Sequence, residues 1–255
     1  MSKRVLVTVC GRAGSRGFRN KNLKSFCGQP MVYYTLSAAE LFARACPQLQ
    51  VDICLNTDSP ELAQLVAEKY PEVVFLPRGE ELCGDTVPKE AVYRDCLLRM
   101  EKKYGVTYDC LIDLDITSPL RQAQDLVRAM ELFEAEPGLD LVLSAAPSRR
   151  SPYFDMGRLD ENGYLCRVIE NNFTARQQAP ACYDVNASLY IFARDFVLGE
   201  GAKDLWKGRL RIYEMVDTGV LDIDSEEDHL LMEVIGSHLY KTAEGFAAVQ
   251  RAIRK

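Results

Sequence analysis

The sequence predicts a three-layer α/β fold, a mainly parallel sheet with helices on both faces. Across the first 145 residues, short β-rich apolar runs alternate with helical patterns, as they do in βα units. The first of these runs ends in a glycine-rich basic loop, and open α/β sheets bind ligands at the carboxyl ends of their strands. The 255 residues read as one domain, 1–255, long enough to bury a sizeable core.

Taken in order, residues 5–10 (VLVTVC) form the first strand and 11–24 the basic loop. A helix follows over 32–45, a strand over 51–55, and a helix over 60–70 capped by Ser59 or Asp58. Then come a short strand at 73–75, a helix over 88–103, a strand at 110–114, a helix over 122–134 and a strand at 139–144. From about 147 to 186 the rhythm breaks, with candidate hairpin strands around Gly163 and the polar stretch ENNFTARQQAP. This segment reads as an inserted arm, the alternative being a long surface loop, which compact domains rarely carry without structure. A strand at 187–192, a helix over 226–235 and an amphipathic C-terminal helix complete the chain.

Composition narrows the function. A net charge of −6, with 47% hydrophobic and 27% charged residues, fits a soluble globular protein and argues against general nucleic-acid binding. The nine cysteines include no C-x-x-C pair, and several sit in apolar runs, so reduced thiols and a cytoplasmic location are expected. The N-terminal apolar stretch is too short for a signal peptide, and no segment is long enough to span a membrane.

Against this acidic background, GRAGSRGFRNKNLK concentrates Arg12, Arg16, Arg19, Lys21 and Lys24 with Gly11, Gly14 and Gly17 and no acid. Glycines let backbone N–H groups turn towards an anion while the cations neutralise it. The spacing fits neither G-x-x-x-x-G-K-[ST] nor G-x-G-x-x-G. The bland reading is a solvated turn, but five neighbouring cations repel one another unless an anion joins them.

Two acidic pairs, Asp113/Asp115 and Asp222/Asp224, read as strand ends whose period of two puts both carboxylates on one face. Beside a phosphate-binding loop they suggest a magnesium–nucleotide site, with Asp115 and Asp224 as ligands, against capping or turn roles. Asp113 and Asp222 lie one step further in and would orient loops. The turn Thr117-Ser118-Pro119-Leu120-Arg121 offers two hydroxyls and a cation, or a helix start with Ser118 as N-cap. Arg78, Asp85 and Thr86 occupy another loop after a strand. His229 and His238 lack the partners of a histidine-based triad.

Six ordered motifs carry a family resemblance over nearly the whole chain: GRAGSRGFRNKN; Asn56-Thr57-Asp58 with Glu61; PRGEELCGDT from Pro77; DITSPLR from Asp115; ARQQAP followed by NASLYIF from Asn186; and LDIDSEEDH from Leu221. The chain resembles the acylneuraminate cytidylyltransferases, the synthetases of CMP-sialic acid and of related CMP-nonulosonic acids. The resemblance implies a nucleotide-diphosphosugar-transferase (Rossmann-like) fold and a homodimer in which the arm at 147–186 completes the neighbour's sugar site. It further implies that the anomeric hydroxyl of an acidic nine-carbon keto sugar attacks the α-phosphate of CTP, releasing pyrophosphate. By motif position, Arg12, Ser15, Arg16, Lys21, Asn22, Arg78 and Thr86 would hold the nucleotide. Asp115, Thr117, Ser118, Arg176, Gln177 and Asn186 would face or shape the sugar site. Asp115, Asp222 and Asp224 would hold Mg²⁺, and Arg12, Lys21, Asp115 and Asp224 would carry catalysis by positioning and charge neutralisation.

Departures from the family pattern bear on the sugar. Where sialic acid synthetases usually read L-Q-P-T-S-P-L-R, this chain has Leu114-Asp115-Ile116-Thr117, and Asp115 looks like the metal-binding aspartate of Kdo cytidylyltransferases. Arg16 replaces the usual lysine, a planar fork in place of a point charge. The usual N-G-A-I-Y becomes Asn186-Ala187-Ser188-Leu189-Tyr190. These changes favour a legionaminic, pseudaminic or deaminated nonulosonic acid. The competing readings are a CMP-Kdo-type synthetase or other metal-dependent nucleotide-sugar enzyme, and a nucleotide sensor without turnover.

Overall fold

A computed structural model describes residues 2–14, 17–84, 86–199, 204–219 and 222–255. In chain order the elements are β1 (Arg4–Gly11), β2 (Ser25–Phe26), β3 (Gln29–Pro30), α1 (Met31–Ala45), β4 (Gln50–Thr57), α2 (Pro60–Lys69), β5 (Val74–Pro77), α3 (Lys89–Tyr104) and β6 (Cys110–Leu114). They continue with α4 (Ala123–Ala135), β7 (Leu141–Pro147), β8 (Gly157–Leu159), β9 (Leu165–Arg167), β10 (Tyr183–Ala193), α5 (Arg194–Leu198), β11 (Leu210–Glu214), α6 (Glu226–Thr242) and α7 (Glu244–Arg251).

The seven-stranded sheet runs β11-β7-β10-β6-β1-β4-β5. Every neighbouring pair is parallel except those made by β10, which runs antiparallel to both β6 and β7. Strand alternation divides the core. Val5, Val7 and Val9 pack with α1, α4, α6 and α7 on one face, while Leu6 and Cys10 pack with α3 and α5 on the other. Thr8 belongs to the second set, and the β1–β6 register places it opposite Asp113. A buried polar pair thus sits beneath α3.

Local chemistry accounts for the helix ends. Ser59 caps α2 by accepting from Leu62 N at 3.2 Å, with Pro60 at the first helical position. Gly105 ends α3 at φ 62°. Ser225 and Asp228 form a capping box at the start of α6.

Four expectations are corrected. Ser118 does not cap α4; Gln122 and Asp125 form the capping box there, because the chain stays irregular through Arg121 to bury that side chain. Asp222 to Asp224 is not a strand, since among the described residues no strand pairs with it; Ile223 is buried, and its N–H donates to Thr117 O at 3.0 Å. Helix α6 runs seven residues past 235, to Thr242, because Met232, Gly236 and Tyr240 pack inward at its spacing. The edge strand β11 was not anticipated; it is held by parallel pairing to β7, a partner remote in sequence.

The arm leaves the sheet after β7 and returns at β10. It carries the β8–β9 hairpin and a 3₁₀ turn at Arg176–Gln178. The β10 pairing with β7 shifts register between Val185 and Tyr190, and within that bulge Ala187 takes φ 51°. This is the position where the resembling family usually has glycine, the residue that adopts such a φ without a Cβ penalty.

Candidate active site

The carboxyl ends of β1, β5 and β6 open onto a cavity of about 410 Å³ lined by Arg12, Lys21, Arg78, Lys89, Asp115 and Asp224, among others. The basic loop forms one wall, folded back by contacts with its own chain. Lys21 Nζ pairs with Asp224 Oδ1 at 2.6 Å and donates to Ile223 O at 3.2 Å. Asn22, also in the lining, donates from Nδ2 to Arg12 O at 3.1 Å, and Ala13 N donates to Asp58 Oδ1 at 2.7 Å. Gly17 lies so close to this acidic segment that a Cβ there would stand 2.8 Å from Asp224 O. The loop that carries no acid of its own borrows two carboxylates, Asp58 and Asp224, from distant segments.

Arg78 is fixed by Asn56, which accepts from Nε at 2.6 Å through Oδ1 and from Nη2 at 3.3 Å through its backbone O. Thr86 is exposed on the same loop, between lining residues Gly84 and Val87 and the start of α3. Ser15, Arg16 and Asp85 lie outside the described residues.

Behind Asp115 is an ionic cluster. Lys89 Nζ, at the start of α3, contacts Asp113 Oδ2 at 2.9 Å and Asp115 Oδ2 at 2.8 Å. Asp113, fully buried, also accepts from Thr8 Oγ1 at 2.9 Å and Tyr93 Oη at 2.7 Å. Asp115 Oδ1 accepts from Thr117 N at 3.2 Å and Thr117 Oγ1 at 3.0 Å. Burial alone would push the Asp115 carboxyl up, but the Lys89 charge and the Lys89 and Thr117 hydrogen bonds overcome it and hold it down to about 2. Asp222 is the opposite case. Burial first, then the charges of Asp224 and Asp115, push it up to about 6, as expected for a carboxylate among others of its sign.

The remaining sugar-site expectations divide. Thr117 and Ser118 are buried and not part of the cavity lining, Thr117 serving Asp115 and Ser118 Oγ donating to Asn186 O at 3.4 Å. Asn186 is buried too, its Oδ1 accepting from Ser144 Oγ at 2.6 Å and Ser188 N at 3.3 Å, so it shapes the β10 bulge and is not part of the cavity lining. Arg176 and Gln177 lie on the arm; Arg176 lines a separate crevice of about 240 Å³ and donates from Nη2 to Arg149 O at 2.8 Å. Within one chain the arm residues and the nucleotide-side cavity are not brought together.

Sequence reasoning missed Lys89, Tyr93, Thr8 and the role of Arg121. Arg121 is no ligand-facing cation: it is fully buried, bonding Ser188 O, Ser188 Oγ at 3.1 Å and Asp115 O at 3.0 Å. Burial lowers its pKa to about 10, against the nearby Asp115, Asp113 and Asp125 charges. The sequence signal for such a cation was the Asp113/Asp115 spacing, because two acids on one strand face need a cation within reach, but it did not say which. Among the described residues no three His, Cys, Asp or Glu side chains form a ready-made metal cage, no helix is long and apolar enough to cross a membrane, and no cysteine forms a disulfide.

A mainly parallel sheet with cations and carboxylates facing one another at its strand ends is suited to an enzyme that transfers a nucleotide. The chain belongs to the cytidylyltransferase family, whose model matches residues 6–215. Among its relatives, "Post-translational flagellin modification protein B" of Campylobacter coli and "CMP-N,N'-diacetyllegionaminic acid synthase" of Campylobacter jejuni are each 37% identical, covering 91% of this chain and 94% of theirs. An "N-acylneuraminate cytidylyltransferase" of Streptococcus agalactiae is 28% identical over 91% of this chain and 52% of its own length. The fold is shared with a CMP:2-keto-3-deoxy-manno-octonic acid synthetase solved with CTP, at TM-score 0.64 and 17% identity over 93% of this chain and 99% of that one. It is also shared with 4-diphosphocytidyl-2C-methyl-D-erythritol synthase of Anaerococcus prevotii, at TM-score 0.60 and 12% identity over 91% and 96% of the two chains.

Proposed function

We propose that this enzyme transfers CMP from CTP to the anomeric hydroxyl of a nonulosonic acid of the legionaminic type, releasing pyrophosphate. The observation that carries the reading is the single cavity in which Arg12, Lys21 and Arg78 face Asp115 and Asp224. A triphosphate needs that density of positive charge, and phosphoryl transfer depends mainly on positioning and neutralisation. The relatives named as CMP-legionaminic acid and N-acylneuraminate enzymes support the sugar class.

In the reaction the sugar hydroxyl oxygen forms a bond to the α-phosphorus as the bond to the β-phosphate bridge breaks. Pyrophosphate leaves with the bridging oxygen and its charge, and the hydroxyl proton passes to water. Arg12 and Lys21 neutralise the phosphates, while Asn22 ties down the Arg12 backbone and so fixes the loop. Magnesium takes one or two carboxylates and completes its shell with phosphate oxygens and water, so Asp115 and Asp224, which line the cavity together, would hold it, with Asp222 beside them. The Asp222 carboxyl is raised first by burial and then by the neighbouring charges of Asp224 and Asp115. When bound, the ion would polarise the phosphate oxygens.

The arm, through the exposed Leu159, Tyr164 and Leu165 of its hairpin, pairs two copies and brings Arg176 and Gln177 to the neighbour's sugar site. Light scattering then gives twice the 28.7 kDa chain mass. A cytoplasmic location agrees with nine cysteines outside any disulfide. The decisive assay incubates the protein with CTP, Mg²⁺ and, separately, N,N'-diacetyllegionaminate, pseudaminate, N-acetylneuraminate, a deaminated nonulosonate and Kdo, scoring CMP-sugar by mass spectrometry and pyrophosphate release. Product with legionaminate above the others supports the reading. Product with none of the nonulosonates overturns it.

A further inference from the structure

Asp113 and Asp115 both pair with the Lys89 ammonium, at 2.9 and 2.8 Å, yet they are otherwise unlike. Asp113 has no exposed surface, and both of its oxygens are already engaged by Thr8 and Tyr93. It cannot turn towards a ligand. Asp115 lines the cavity with a side chain 20% exposed; Thr117 holds its Oδ1, and Lys89 covers its Oδ2. Lys89 is therefore anchored on an immobile carboxylate at one side and rests on an exchangeable one at the other.

We propose that Lys89 is a place-holding counter-ion: its ammonium covers the Asp115 oxygen that receives the divalent cation, and arrival of the metal–nucleotide displaces it while Asp113 keeps it in place. This rests on the assignment of Asp115 to the metal made above. The physical need is clear from the charges. Asp115 and Asp224 line one cavity, and without counter-ions their like charges would repel each other. Lys21 covers Asp224 as Lys89 covers Asp115, so each cavity-lining carboxylate is held in place by an ammonium. A metal ion must then compete with a resident cation, and it succeeds when CTP phosphates supply the rest of its shell. Lys89 is thus a positioning residue that couples metal binding to nucleotide binding.

The test titrates the full-length protein with Mn²⁺ alone and reads the free ion by electron paramagnetic resonance, with and without CTP and with no sugar present. Replacing the charge in Lys89→Gln should tighten Mn²⁺ binding without CTP by about tenfold or more, because a competing positive charge is gone. Lys89→Arg, which keeps the charge, should bind Mn²⁺ no more tightly than the unmodified protein, and thermal melting confirms that each variant is folded. If Lys89→Gln does not fold, Lys89→Arg alone decides, and tighter Mn²⁺ binding by that variant overturns the proposal. Unchanged or weaker binding by folded Lys89→Gln, with Mn²⁺ still retained in the presence of CTP, overturns the role of Lys89 and leaves the proposed reaction standing. Failure of the unmodified protein to hold Mn²⁺ even with CTP overturns both.

Discussion

Replacing Asp113 by asparagine removes a buried charge while keeping its shape, and the surroundings set the cost. Three donors converge on this carboxylate: Thr8 at 2.9 Å, Tyr93 at 2.7 Å and Lys89 at 2.9 Å. An amide has one acceptor oxygen, so its NH₂ must face one of them. The least costly arrangement turns the NH₂ towards Thr8, whose hydroxyl can donate instead to Ile112 O, 3.5 Å away. Tyr93 and Lys89 then share the amide oxygen, and Lys89 keeps its Asp115 contact at 2.8 Å. What is lost is the charge assistance in two buried hydrogen bonds, about 2–3 kcal/mol in total. Asp113→Ala leaves Tyr93 Oη without an acceptor and Lys89 with one carboxylate, and should cost about 4–6 kcal/mol. Urea unfolding followed by circular dichroism should show the midpoint falling at constant slope. The melting temperature of Asp113→Asn should drop by roughly 5–10 °C. An asparagine variant within about 0.5 kcal/mol of the unmodified protein would mean that the buried charge does not hold α3 to the sheet.

Two further substitutions probe stability away from the cavity. Glu101 accepts a forked pair from Arg194 at 2.8 and 3.1 Å and the Tyr108 N–H at 3.1 Å; the Arg194 bonds, opposed by burial, lower its pKa from the usual 4.5. Its stabilisation is therefore complete above the unfolded-state pKa and is lost as pH falls through the lower folded-state value. Glu101→Gln should cost about 1–2 kcal/mol at pH 7 and progressively less in acid, and a gap that stays constant down to about pH 3 would contradict this assignment. Ala187→Gly should stabilise the protein by about 0.5–1 kcal/mol, because relief of the left-handed backbone at φ 51° exceeds the entropy that glycine adds to the unfolded chain; a lower denaturation midpoint would show that the bulge tolerates alanine without strain.

Much of the frame was legible because it rests on local rules. Apolar runs marked β1, β4, β6 and β7, and Ser59-Pro60 marked the start of α2. The same rules failed where a distant contact overrode them. Ser118-Pro119 has good capping chemistry, yet the helix starts after Arg121 because that side chain must reach Ser188 on β10. Asp222 and Asp224 have strand spacing but, among the described residues, no strand beside them, and Ile223 is held by bonds to Thr117 and Lys21. No local pattern could foresee β11, whose pairing partner ends more than sixty residues earlier.

By itself the sequence determined that a basic glycine loop leaves the first strand of an α/β sheet, and that its charge calls for an anion. Charge and glycine content are properties of a short segment, visible without its surroundings. Only the tertiary structure decided how the cavity's charges are apportioned: Lys21 to Asp224, Arg78 to Asn56, Lys89 between Asp113 and Asp115. Electrostatic pairing depends on distance in space and on the exclusion of water. Lys89 and Asp115, twenty-six positions apart, meet only because α3 packs over β1 and β6.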